Sequence, residues 1–148
     1  MTVREALFWL QNTPVAHSIS KSHHLVGALL QVVHIAGFVA LLAAVVMLTL
    51  RRFDRALVNV PRARIEREFG RILWWGLGLA LISGVLMFAA SPILYFYNKA
   101  FELKLAMLLV AVALQIALLR APRPALVTAA SVVLWFGVGM AGRAIGFV

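Results

Sequence analysis

The stretch 28-ALLQVVHIAGFVALLAAVVMLTL-50 spans 23 residues and carries no formal charge apart from its single histidine. A helix needs about 20 apolar residues to cross a bilayer. In lipid every backbone amide must find its partner within the segment, so a run of this kind is a transmembrane helix. His34 is the anomaly. An ionisable ring at that depth is costly, and by default it faces the interior of a bundle and serves a purpose.

Three further apolar runs follow, giving spans of approximately 24–50, 72–91, 100–119 and 125–143. None alternates apolar with polar residues as a membrane strand would. The connections are short, so consecutive helices are antiparallel. The prediction is an all-α integral membrane protein of one domain, residues 1–148: a four-transmembrane-helix up-down bundle. A capping box at Thr2 and Glu5 opens a short N-terminal helix. Val3, Leu7 and Leu10 share one of its faces, with Phe8 and Trp9 beside them, which predicts an amphipathic interfacial helix. No uninterrupted apolar h-region of a signal peptide is present there. The second loop, 92-PILYFYNK-99, is aromatic and resembles an interfacial belt.

The chain is 64% hydrophobic and only 13% charged, far from the composition of a soluble domain. Its net charge of +9 is a topology signal and no mark of nucleic acid. Arg51, Arg52, Arg55, Arg62, Arg64, Arg67, Arg71, Arg120 and Arg123 fall on one side; Arg4, Lys21, Lys99, Lys104 and Arg143 fall on the other. The positive-inside rule then places both termini on the outer side, the periplasm where the membrane is a bacterial inner membrane. The basic side also attracts anionic lipid. There is no cysteine, which removes disulfides, thiolate metal sites and iron–sulfur clusters. No P-loop, GxSxG, HExxH or paired carboxylates occur, so a stand-alone soluble-type enzyme is not indicated.

Counting up from the arginines at 1.5 Å per residue, His34 lies about 26 Å, Lys104 about 24 Å and Arg143 about 30 Å from the basic boundary. Met140 at about 26 Å and Met87 at about 24 Å join the same layer. Bland roles exist for each. Lys104 and Arg143 can snorkel, Lys104 can pair with Glu102, and Arg143 can pair with the chain's C-terminal carboxylate. The sharper role is a b-type haem, for which neutral imidazole is the usual axial ligand. Gly37 and Gly27 leave room for a porphyrin beside His34, Lys104 and Arg143 meet its propionates, and Trp135 packs the pocket. All four histidines precede residue 35, so no second helix supplies another. The sixth position falls to Met87 or Met140, stays open, or is shared across a homodimer. A quinone in the same pocket is the other expected ligand. His17, His23 and His24 form a weaker candidate copper or zinc site near the surface.

The segments 9-WLQNTPVAHSISKS-22, 31-QVVHIAG-37, 98-NKAFELKLAMLL-109 and 134-LWFGVGMAGR-143 resemble an uncharacterised bacterial family of small four-span inner-membrane proteins. In layout the chain is loosely similar to the copper resistance protein D group. It is also loosely similar to the membrane-bound haem-b protoporphyrinogen oxidases, which combine a first-span histidine with a third-span F-x-x-K-L. That likeness implies cofactor-linked roles for His34 and Lys104. Together these readings predict a b-type-cytochrome-like protein passing electrons between a periplasmic redox partner and the quinone pool. The alternatives are a cofactor-free anchor or assembly subunit of a larger membrane complex, and a copper-handling membrane protein.

Overall fold

The structure is a computed structural model and describes residues 2–14, 16, 24–121 and 124–147, with the side chain of His24 excepted. The described residues form α1 (Val3–Gln11), α2 (His24–Arg52), α3 (Arg62–Ala90), α4 (Pro92–Phe96), α5 (Lys99–Arg120) and α6 (Ala125–Ala144). A 3-10 turn, Ile145–Phe147, follows. Helices α2, α3, α5 and α6 are each long and apolar enough to cross a membrane. The protein is a multi-pass membrane protein of all-helical class.

Helix α3 begins at Arg62, ten residues before the apolar run, because Pro61 breaks the chain and the Arg-rich segment continues the helix into water. The aromatic second loop contains the short helix α4, with Pro92 at its start and Ser91 preceding it. Proline's fixed φ suits a first helical turn. Helix α1 has both halves of its capping box: Thr2 Oγ1 accepts from the Glu5 amide, and Glu5 accepts from the Thr2 amide at 2.8 Å. It seats Leu7, 7% exposed, at the end of the bundle next to α4, while Phe8 and Trp9 stay exposed. The interfacial helix is therefore also a cap on the bundle.

The four spans form two hairpins. Helix α2 packs along α3, α5 packs along α6, and α2 touches α6 across the middle. Helices α3 and α5 make little direct backbone contact. The core is Leu41, Ala44, Val45, Leu73, Leu77, Ala111, Trp135 and Val138. Large apolar side chains such as Leu29, Ile82, Leu109, Leu126 and Val133 point outward and are more than half exposed, as lipid requires.

Lipid tails are as apolar as leucine, so close packing and interhelical hydrogen bonds hold such a bundle together. The tightest packing is between Gly37 of α2 and Gly76 of α3. A Cβ on Gly37 would stand 2.9 Å from Ala80 N and 2.9 Å from Gly76 O. Gly37 was expected to leave porphyrin space beside His34; that space is filled by the α3 backbone. Across α5 and α6, Ser131 Oγ donates to Gln115 Oε1 at 3.1 Å, both residues being buried. Asn98 caps α5 through the Phe101 amide and donates to Ile145 O at 3.2 Å, tying its start to the end of α6.

Between α2 and α3 the chain turns through Asp54 and Leu57, both with φ near +53°. The Asp54 carboxylate bridges Arg51 and Arg62, the latter at 2.8 Å. The hydrogen bond from Arg62, helped by the nearby charges of Arg62 and Arg51, holds the Asp54 carboxyl below its ordinary range. A depressed carboxyl stabilises the fold above its unfolded pKa, and that contribution is lost as pH falls through the folded one. Amide protection across residues 53–60, corrected for intrinsic exchange, should therefore drop on acidification below the usual carboxylate range. Asp54→Asn keeps the left-handed backbone tolerance and should lack that drop; an identical pH response in both proteins would dismiss the role.

Candidate functional site

Residues from α2, α3, α5 and α6 meet around His34, at the end of the bundle where α1, α4 and the C-terminal turn gather. His34 Nδ1 lies 2.8 Å from Ala80 O and 3.2 Å from Ser83 Oγ. A carbonyl oxygen only accepts, so Nδ1 carries the hydrogen. Ser83 gives its own hydrogen to Leu79 O at 2.6 Å, which leaves its oxygen free to accept as well. Nε2 is thereby a bare acceptor, and Lys104 Nζ stands 3.3 Å from it. Geometry sets the tautomer: Nδ1 holds the imidazole hydrogen, and Lys104 donates to Nε2.

Two glycines lie close against this pair. A Cβ on Gly84 would come within 3.2 Å of the imidazole Cε1, and one on Gly142 within 3.3 Å of Lys104 Nζ. Lys104 does not pair with Glu102, which was one expectation. Glu102 bonds Lys99 at 2.9 Å, because the lysine in the exposed first turn reaches it while Lys104, two residues on, faces the interior. Among the described residues no carboxylate lies within ion-pair distance of Lys104 or Arg143. The Arg143 guanidinium rests on the Phe147 ring, 5.1 Å from its centroid. Its suggested carboxylate partner at Val148 lies outside the described residues.

A cavity of about 530 Å³ adjoins His34 and Lys104, with Arg143, Met87 and Gln31 also on its lining. Phe88 and Phe101 stack across the gap between α3 and α5, centroids 5.5 Å apart and nearly parallel at 10°. Tyr95 of α4 tilts against both, at 6.3 and 5.4 Å. Past the His34–Lys104 pair lies a second, more apolar cavity of about 270 Å³, reaching Leu41, Leu77 and Trp135. Trp135 is 1% exposed, and its indole Nε1 is buried with no partner. Buried indole N–H groups normally find an acceptor, so this donor is conspicuous.

Of the residues singled out in the sequence, His34, Lys104, Arg143, Met87 and Trp135 line these two adjoining spaces. Met140 does not. It is 72% exposed, because α6 buries Thr128, Ser131, Trp135, Val138 and Ala141, and residue 140 falls off that stripe. A methionine facing outward is no ligand for anything held beside His34. The expected surface metal site falls outside the described residues, which leave out His17, His23 and the His24 side chain. Among the described residues no three His, Asp or Glu side chains converge as a metal site. Sequence reasoning missed Ser83 and Phe88, and it read Tyr95 only as part of an interfacial belt with Phe96 and Tyr97, without its contact to Phe88 and Phe101. Ser83 had a signal: a hydroxyl in an apolar span wants a partner.

No protein-family model, curated protein or solved structure matches the chain.

Proposed function

We propose that the protein holds a quinone head group in the cavity beside His34 and Lys104, as the quinone-facing subunit of a membrane redox assembly. The carrying observation is the Lys104–His34 pair. It places a hydrogen-bonded amine, with no carboxylate partner among the described residues, against an aromatic-lined space inside a membrane bundle. Such a group favours a ligand that brings oxygen acceptors with it. A ring carbonyl can take a second N–H of Lys104, while Trp135 Nε1 is a further donor deeper in. The flat ring matches the stacked Phe88 and Phe101, and an isoprenoid tail is at home against the outward leucines.

Reducing a quinone to a quinol consumes two electrons and two protons. The redox partner of the assembly supplies the electrons, and the Lys104–His34 pair is placed to hand one proton to the ring oxygen; water at the membrane surface supplies the other. In this reading the arginine-rich end faces the cytoplasm of a bacterial inner membrane, and the quinone site lies toward the periplasm.

One observation favours a b-type haem as a second reading. Metal-ligating imidazoles usually donate their other ring N–H to a carbonyl or carboxylate, and His34 does so to Ala80. The fit is partial. Nε2 is already matched to Lys104, and Met87 is the one methionine of the proposed pair on the lining. A haem here would take His34 as its ligand and draw Lys104 and Arg143 toward its propionates, supplying one-electron chemistry when bound.

The test is solvent extraction of the purified, detergent-solubilised protein, with its absorption spectrum before and after dithionite. Roughly stoichiometric quinone in the extract is expected. A charge-assisted hydrogen bond contributes about 1.5–3 kcal/mol, so Lys104→Met should weaken binding of an added short-chain quinone at least about tenfold. A Soret band with reduced α and β bands would replace the quinone reading with the haem one. No quinone, no binding and a flat spectrum would leave the anchoring-subunit alternative.

A further inference from the structure

We infer that the arginine-rich end of the bundle holds a binding site for a phosphate group, carried by an anionic lipid or by a soluble phosphate. A separate cavity of about 350 Å³ lies there, at the opposite end of the spans from His34. Arg51 and Arg52 in the last turn of α2, Arg62 in the first turn of α3 and Arg120 in the last turn of α5 all line it. Among the described residues, Glu66 is the one carboxylate on that lining.

Part of this basic cluster is already explained. Arg51 gives Nη1 to Asp54 and Nη2 to Val60 O, and Arg52 gives Nη2 to Leu118 O. Arginine in the last turn of a helix also complements its dipole. Those contacts leave a remainder. Arg51 is only 9% exposed, yet its Nε is buried without a partner. Gln115, 4% exposed, lines the same cavity. Its Oε1 is taken by Ser131, and its amide nitrogen makes no hydrogen bond among the described residues. Arg120 has no ion pair among them either.

The Gln115 amide nitrogen, on a side chain more than nine-tenths buried, and the Arg120 guanidinium are spare donors on this lining and call for an acceptor. Guanidinium forks match oxyanions well. Groups converging from three helices suit a tetrahedral oxyanion better than a flat carboxylate, which two N–H groups satisfy. The helix ends that carry these arginines also sit where lipid phosphates sit, and basic pockets between spans bind anionic head groups.

The full chain in neutral detergent is titrated with phosphatidylglycerol mixed micelles, with phosphatidylcholine micelles as the zwitterionic control. A parallel titration uses inorganic phosphate against chloride at matched ionic strength. Thermal stability and tryptophan fluorescence are the readouts. Saturable binding is expected, weakened at least about tenfold by Arg120→Gln and again by Arg52→Gln. Arg71→Gln removes the same charge at the same end but outside the cavity lining, and should leave binding intact. Response to phosphatidylglycerol alone assigns the site to a lipid head group; response to inorganic phosphate as well assigns it to phosphate from either source. Binding of neither probe, or equal weakening by Arg71→Gln and Arg120→Gln, would overturn the inference.

Discussion

Gly76→Ala should destabilise the detergent-solubilised protein by about 1–3 kcal/mol, the usual cost of overpacking, and Gly76→Leu should prevent the bundle from forming. The reason lies in what a new side chain would meet. A Cβ at Gly76 would stand 2.6 Å from Gly37 O and 2.7 Å from Leu41 N. Both are backbone atoms, which cannot swing aside as a side chain could, so α2 and α3 must separate. In lipid that separation forfeits the packing that holds the helices together. Gly78 is the control: it lies two residues along the same helix with nothing within 4 Å of its Cβ position. Gly78→Ala should be neutral or gain up to about 1 kcal/mol from better helix propensity. Denaturant unfolding followed by helical circular dichroism measures both, and a Gly76→Ala protein as stable as the parent would refute the crossing. The damage should extend to the site. The Ala80 amide lies against Gly37 and its carbonyl anchors His34, so widening this contact displaces the imidazole.

Trp135→Ala is expected to cost about 3–5 kcal/mol, the range for emptying a buried aromatic site. Trp135 packs in the core cluster with Leu41, Leu77 and Val138 and is almost wholly enclosed. Trp135→Phe separates packing from the spare donor. Phenylalanine loses some volume but also removes a buried unsatisfied N–H, whose burial costs about 1–3 kcal/mol. The two effects oppose, so the ligand-free stability should change little. Quinone binding should weaken, because the donor is gone. Melting temperatures of both variants, with and without a short-chain quinone, distinguish the contributions. Equal quinone affinity in Trp135→Phe and the parent would remove Trp135 from the ligand's contacts while leaving its packing role untouched.

Hydropathy made the four spans legible, since membrane thickness and helix rise tie length to depth. The same count put His34, Lys104 and Arg143 at one level, and they do line one cavity. Height along a helix says nothing about direction around it, and Met140 shows the gap. Its depth suited a ligand, but the small and apolar stripe at Thr128, Ser131, Trp135 and Val138 already defined the inward face of α6. Lys104 posed the converse problem. Its inward turn depends on the space above Gly142 and on a partner seventy residues earlier, neither of which local pattern reveals. Gln115 and Ser131 were readable as intramembrane polar groups wanting partners, although their pairing needed the fold. The α4 turn was hidden because five residues are too few for a periodic signal.

The uneven way the helices associate has one more implication. With α2 bound tightly to α3, α5 to α6, and the halves joined by the α2–α6 face, two α2–α5 hydrogen bonds and the Phe88–Phe101 stack, the molecule is a pair of preassembled hairpins meeting along a slighter seam. Each hairpin can enter the bilayer as a unit and find the other by lateral diffusion. The polypeptide link at residues 91–98 then holds two partners at high effective concentration instead of dictating their structure. Chains severed there are candidates for reassembly in the membrane, with His34 supplied by one fragment and Lys104 by the other.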